Sequence, residues 1–129
     1  MITLKKQEPK YTIPQLVAEL FESRTVAHKQ HLATTSYAFH KATNTYYDAI
    51  VDLADSLIES YQGQKGIQVI PDPKLKNNNF AEYLVQLYDL CTATQSNCEY
   101  SDIVNDIDGV KSLINSTLYK IKILKWKEV

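Results

Sequence analysis

The sequence predicts an all-α protein, a four-helix bundle, and three observations lead to that prediction. Apolar residues recur every three or four positions in four separate stretches, which is the spacing of one face of a helix. Helix-start patterns precede two of these stretches, and only three glycines and four prolines interrupt the chain. A length of 129 residues with 44% hydrophobic residues favours a single domain, residues 1–129, around one core.

The first two helices are predicted from their start and stop signals. Thr12-Ile13-Pro14-Gln15 is a capping-box pattern with proline in the first turn. The second helix runs from about Ser36 to Gln62 and stops at Gly63, a usual C-terminal signal. Two or three residues join the two helices, so we expect them to form an antiparallel hairpin.

The third and fourth helices form a second closely connected pair. Asn79-Phe80-Ala81-Glu82 is another capping-box pattern and opens the third helix, while the fourth starts near Ser101-Asp102. The last ten residues, 120–129, alternate between charged and apolar side chains. Alternation also suits a strand, but we expect this end to continue the helix.

The connection between the two hairpins, residues 64–78, indicates the topology. A second helix of this length spans about 40 Å, and fifteen extended residues can just cover that distance. Such a crossover is needed when the second and third helices run parallel, in the ferritin-like order of hairpin, long crossover, hairpin. An up-down bundle with a slack middle loop is the alternative.

The candidate functional residues are histidines and carboxylates. All three histidines fall within thirteen residues, and four acids then follow at helical spacing: His28, His31 and His40, and Asp48, Asp52, Asp55 and Glu59. On a helical wheel the acids occupy a stripe about 60° wide, nearly opposite the apolar face of the second helix. They therefore cannot point into their own bundle.

A metal ion shared by these groups requires two chains. His40 and Asp55 are separated by about 22 Å along one helix, whereas metal–ligand bonds are about 2 Å long. Antiparallel packing of two second helices about a twofold axis would bring His40 of one chain to Asp55 and Glu59 of the other, forming two equivalent sites. Imidazoles with carboxylates suit Fe(II), Zn(II) or Mn(II). The sequence contains no Glu-x-x-His, so a di-iron site inside the bundle is not expected.

The same stretch resembles the Dps mini-ferritins, the starvation-induced DNA-protection proteins. Their ferroxidase pattern reads His, eleven residues, His, fourteen residues, Asp, three residues, Glu, and this chain has all four: His28, His40, Asp55 and Glu59. In the family the first histidine precedes tryptophan, so the dipeptide His31-Leu32 is an alternative for that position.

The resemblance implies a ferritin-like fold, a homodimer or larger homo-oligomer, and an inter-subunit site for iron or another divalent metal such as zinc. Its ligands would be His28 or His31, with His40, Asp55 and Glu59, and Asp52 as an additional candidate. Peroxide or oxygen would oxidise Fe(II) there. The family's extra acid, four residues after the second histidine, is Asn44 in this chain.

Residues 28–63 are also similar to small uncharacterised proteins of tailed phages that share a pattern present here, Ser36-x-Ala38-x-His40-x-Ala42 followed by Tyr61-Gln62-Gly63. This similarity implies no activity. With no apolar run near the roughly 20 residues of a membrane span and no signal-peptide core, we expect a cytoplasmic protein, in the host cytoplasm if the gene is a phage gene.

Two further functions are compatible with the sequence. An acidic stripe is commonly a solvated helix face, which supports a non-enzymatic helical oligomer that serves as an interaction or structural module. Binding of nucleic acid through terminal lysines is the weaker alternative: the basic N-terminal tail, residues 1–11, carries Lys5, Lys6 and Lys10, and the C-terminal end carries Lys120, Lys122, Lys125 and Lys127. A net charge of −1 and a single arginine argue against it.

Overall fold

The computed structural model describes residues 11–124. These residues form four α-helices, the last of which continues into a π-helical turn: α1 (Ile13–Ala33), α2 (Tyr37–Lys65), α3 (Phe80–Ser96), α4 (Ser101–Leu118) and the turn Tyr119–Ile123. The predicted all-α four-helix bundle is confirmed, and this part of the chain contains no strand. Most of the expected basic tail 1–11 and the lysines Lys125 and Lys127 lie outside the described residues.

The starts of α1 and α2 follow their sequence signals. Thr12 Oγ1 accepts a hydrogen bond from the Gln15 amide at 3.3 Å, and Gln15 Oε1 accepts one from the Thr12 amide at 2.8 Å. Ser36 Oγ accepts from the Phe39 amide at the start of α2. These side chains satisfy N–H groups that the first turn of a helix leaves without partners.

The start of α3 and the end of α2 each differ from expectation in one detail. Asn79 Oδ1 accepts from the Glu82 amide as predicted, but the Asn79 amide donates to Asn77 Oδ1 rather than to the Glu82 side chain. Helix α2 continues through Gly63 and ends at Lys65, three residues later than expected. Gly66 then takes a φ of +83°, the left-handed region that glycine enters at little cost, and this ends the helix.

Two contacts establish the topology. The rings of Phe39 and Phe80 are 6.1 Å apart, so α2 and α3 begin at the same end of the bundle. Gln64 Nε2 donates to Asp102 Oδ2 at 3.0 Å, so the end of α2 lies beside the start of α4. Helices α2 and α3 are therefore parallel, and the crossover between them runs the length of the bundle. The order of hairpin, long crossover, hairpin is confirmed, and the up-down alternative is wrong.

The core lies between all four helices. Helix α1 packs against α2 and α3, and α4 packs against the same two helices from the other side. The largest fully buried side chains come from every helix: Leu16, Leu20, Tyr46, Ile50, Leu57, Tyr83, Leu84, Leu87, Ile103, Ile107 and Ile114. None of the helices in residues 11–124 is both long and apolar enough to cross a membrane.

A buried carboxylate ties the crossover to α1. Glu19 is only 2% exposed, although it carries a charge. Its carboxylate accepts hydrogen bonds from the backbone amides of Lys74, at 2.8 Å, and Leu75, at 3.1 Å. Two charge-assisted bonds offset the desolvation of this group and hold the middle of the crossover against the bundle.

Candidate functional site

The three histidines lie together where α1 turns into α2. The His31 and His40 rings stack with centroids 3.4 Å apart and planes 22° apart. The His28 ring lies 6.0 Å from His31 and stacks on Tyr47 at 4.6 Å. We call His28, His31, His40 and Tyr47 the histidine corner. The three-residue turn between the helices brings these side chains together within one chain.

The hydrogen bonds of His31 and His40 place a proton on Nδ1 of each ring. His31 Nδ1 lies 2.7 Å from the His40 carbonyl oxygen, and His40 Nδ1 lies 2.8 Å from the His31 carbonyl oxygen. Because a carbonyl oxygen can only accept, each Nδ1 carries the proton and donates it. In the neutral rings Nε2 then keeps its lone pair. A carbonyl on the opposite ring nitrogen is the usual support of a metal-binding imidazole.

The stacked pair cannot by itself chelate one ion in the conformation described. A metal bond lies in the plane of the imidazole, so two imidazoles on one ion have centroids about 5–6 Å apart, given bonds of about 2 Å. The separation of His31 and His40 is too short for this, whereas the separation of His28 and His31 fits. Within residues 11–124, no three His, Cys, Asp or Glu side chains are grouped closely enough to hold a metal ion.

The two alternatives for the first histidine have different surroundings. His31 is buried on the apolar side of α1 and pairs with His40. His28 is half-buried at the edge of the same helix, with its ring against Tyr47. The pairing with His40 favours His31 as the ligand, while the distance between the His28 and His31 rings allows both to bind one ion. Both histidines therefore stay candidate ligands.

The acidic stripe is exposed, as the helical wheel predicted. Asp48, Asp52, Asp55 and Glu59 all lie on the solvent side of α2. Because α2 is continuous from Tyr37 to Lys65, Asp55 remains about 22 Å along the axis from His40. One chain therefore does not bring the predicted imidazole and carboxylate ligands together.

A series of side-chain hydrogen bonds, which sequence reasoning missed, connects the histidine corner to the acidic stripe. The Tyr47 hydroxyl donates to Asn44 Oδ1 at 2.7 Å, and Asn44 Nδ2 donates to Asp48 Oδ2 at 3.0 Å. The three residues are spaced three and four apart on one helix, which is the signal that could have identified them. These hydrogen bonds orient the Tyr47 ring against His28 and connect the histidine corner to Asp48.

Comparisons with known proteins give one result. No curated protein and no solved structure is similar enough to this chain to count as a match. Residues 31–121 match a family described as "Family of unknown function (DUF5856)", and this span covers more than half of the chain. It includes His31, His40, Asp55 and Glu59, and it begins after His28. The chain therefore belongs to the DUF5856 family.

Proposed function

We propose that the protein binds a divalent transition-metal ion, in first place Fe(II), at a site shared by two copies of the chain, and that Fe(II) is oxidised there. The observation that carries this proposal is the hydrogen bonding of His31 and His40. Their Nδ1 protons are held by carbonyl oxygens, so both Nε2 atoms are prepared as ligands. The resemblance to Dps mini-ferritins supplies the reaction.

The missing ligands come from the second copy in this proposal. The α2 helices of two chains pack antiparallel about a twofold axis, and His40 with His28 or His31 faces Asp55 and Glu59 of the other chain. The exposure of the acids supports this, because side chains at an interface must be accessible in the isolated chain. Asp52, one turn before Asp55, is the additional acid. Binding of one ion by both rings requires the His31–His40 stack to open by rotation of one side chain, which gives up that ring's bond to the carbonyl oxygen, while the other ring keeps its Nδ1 support.

The chemistry balances with peroxide as the oxidant. Two Fe(II) ions supply the two electrons that cleave the O–O bond of one hydrogen peroxide molecule, and two protons are taken up as two waters form. The protein would hold the iron, while the acidic stripe raises the local concentration of the cation. Cys91 and Cys98 are both free thiols, which suits a reducing compartment, so we place this activity in the cytoplasm.

Complementation between two inactive variants tests the shared site. His40→Ala alone and the double variant Asp55→Asn/Glu59→Gln alone should each lose bound iron and Fe(II)-dependent consumption of peroxide. When the two variants are unfolded, mixed and refolded together, the mixed dimers regain one intact site. We therefore expect about a quarter of the wild-type sites in the mixture.

Three results would contradict the proposal. One is a mixture that stays as inactive as its parents although the wild type binds iron. Another is an Asp55→Asn/Glu59→Gln variant that binds as much iron as the wild type. The third is a monomeric solution mass for the metal-loaded wild type by light scattering.

A second candidate function is a non-enzymatic interaction or structural module, and the His31–His40 stack also favours it. Reciprocal bonds to the two backbones hold the end of α1 against the start of α2, which is sufficient reason for two packed histidines. Wild-type protein that is indistinguishable from His40→Ala in bound iron, bound zinc and peroxide consumption would leave this function alone.

A further inference from the structure

Lys41 lies on the side of α2 that carries the acidic stripe. It is the only lysine or arginine in residues 37–62, and its side chain is exposed. About five complete helical turns separate it from Glu59, so the two residues lie at the same angle around the helix. Asp55 lies about 40° from that line, whereas His40 lies about 100° from it. This face of α2 therefore carries a positive charge near its start and negative charges near its end.

A face with opposite charges at its two ends is complementary to a second copy of itself in the antiparallel orientation. The inference rests on the arrangement of the proposed function, in which His40 faces the point midway between Asp55 and Glu59 of the other copy. Lys41 then faces a point one residue earlier, about 1.5 Å along the axis from that Asp55 and about 4.5 Å from that Glu59. A flexible lysine side chain can reach both carboxylates.

Two acidic stripes that pack together need positive charge between them. Each copy contributes four exposed carboxylates to the contact: Asp48, Asp52, Asp55 and Glu59. The Asp48 residues of the two copies lie at nearly the same height, next to the twofold axis, where like charges repel each other. Lys41 is the residue on this face that can offset the repulsion when no metal is bound.

Tyr37 adds apolar surface to the same face. It lies about one turn before Lys41 and is 72% exposed. In the antiparallel arrangement the last turns of the second copy's α2 cover this ring, and tyrosine is enriched at such interfaces. We infer that two copies of the chain associate through these faces without metal, and that Lys41 of each copy forms ion pairs with Asp55 and Glu59 of the other.

Sedimentation analysis of the full chain in the presence of a metal chelator measures this association. We expect the wild type to form dimers in equilibrium with monomers. Lys41→Glu should raise the dimer dissociation constant about tenfold or more, because repulsion replaces attraction at both ends of the contact. Lys76→Glu makes the same change of charge at an exposed position in the crossover, so it is the matched control and should associate like the wild type. Asp48→Asn should lower the dissociation constant several-fold, because it removes the repulsion next to the axis.

An exchange of charges between two variants tests which residues face each other. Asp55→Lys/Glu59→Lys should also weaken self-association about tenfold or more. In its mixed dimer with Lys41→Glu, the new glutamate of one chain faces the new lysines of the other, and native residues face each other at the second contact. The equimolar mixture should therefore form dimers with about wild-type affinity, although each parent associates weakly.

The chelator separates this inference from the proposed metal site. A monomeric metal-free wild type would overturn the inference, even if the metal-loaded chain is a dimer. So would a Lys41→Glu variant that associates like the wild type, or a mixture of the two folded variants that associates no better than its parents. A chain that dimerises as expected here but binds no metal would contradict only the proposed function.

Discussion

Replacing Glu19 by glutamine is expected to loosen the crossover from α1 and to lower the free energy of unfolding by about 2–4 kcal/mol. The carboxylate accepts bonds from two backbone amides, those of Lys74 and Leu75, at a position that is 2% exposed. Each amide lies within 3.2 Å of both carboxylate oxygens, so glutamine keeps one oxygen for the two amides. Its NH₂ group takes the place of the other oxygen, where it faces the same amide donors at a buried position, and two donors cannot pair.

The magnitude follows from what is lost. One charge-assisted hydrogen bond contributes about 1.5–3 kcal/mol, and a buried donor left without a partner costs about 1–3 kcal/mol. Removing a buried charge recovers part of this loss, which leaves the net of about 2–4 kcal/mol. Because domains of this size are stable by about 5–15 kcal/mol, we expect the Glu19→Gln variant to remain folded.

Urea unfolding followed by circular dichroism measures the change in free energy, and amide hydrogen exchange measures its location. The Lys74 and Leu75 amides should exchange faster in Glu19→Gln than in the wild type. Glu99→Gln, an exposed carboxylate, is the matched control and should change stability by less than about 0.5 kcal/mol. A loss below about 1 kcal/mol in Glu19→Gln, or unchanged exchange of both amides, would refute the reasoning.

Three further predictions concern buried groups. Burial raises the pKa of Tyr46, Tyr83 and Cys91 in the folded protein, so the unfolded chain loses these protons at lower pH than the folded protein does. The urea concentration at the unfolding midpoint should therefore fall as the pH rises above about 9, and a constant midpoint up to pH about 10.5 would contradict this. Because burial raises the pKa of Cys91 to about 12, a thiol reagent at pH about 8 should modify the half-buried Cys98 first and Cys91 only on unfolding, as peptide mass spectrometry would show. His31→Ala should lower the free energy of unfolding by about 2–4 kcal/mol, because it removes the ring stack and the bond from the His31 ring to the His40 carbonyl oxygen, which is left without that donor; the bond from His40 Nδ1 to the backbone carbonyl of residue 31 remains. His28→Ala, at a half-buried position, should cost less than about 1 kcal/mol, and equal losses in the two variants would count against the role of the stack.

The helices and their order were readable from the sequence because the physics that sets them is local. Thr12 and Asn79 cap helices through bonds to residues three positions away, and the spacing of apolar residues repeats within each helix. The length of the crossover favoured parallel α2 and α3, since a connection must span the distance between its ends, but it left the up-down bundle open. The Phe39–Phe80 and Gln64–Asp102 contacts decided between the two. The end of α2 was misplaced because Gly63 and Gly66 are both acceptable stop residues and only the backbone conformation distinguishes them.

The candidate site was readable only in part. The spacing placed His28 and His31 beside His40 at one end of a hairpin, and it placed the acids on the opposite face from the core. It could not decide which histidine meets His40, because this depends on the rotation of α1 and on side-chain conformations within the turn. Whether a second chain completes a metal site depends on packing between molecules, so the shared site stays a prediction.

The sequence by itself thus determined the helices and the exposure of the acidic stripe, since each follows from spacing along one segment. The tertiary structure alone decided the hydrogen bonding of the Glu19 carboxylate and of the Tyr83 hydroxyl. Glu19 bonds to backbone amides 55 and 56 residues away, and every residue carries such amides, so no residue type marks them in advance. Within residues 11–124 the Tyr83 hydroxyl is buried without a hydrogen-bond partner, and that burial is a property of the packed bundle.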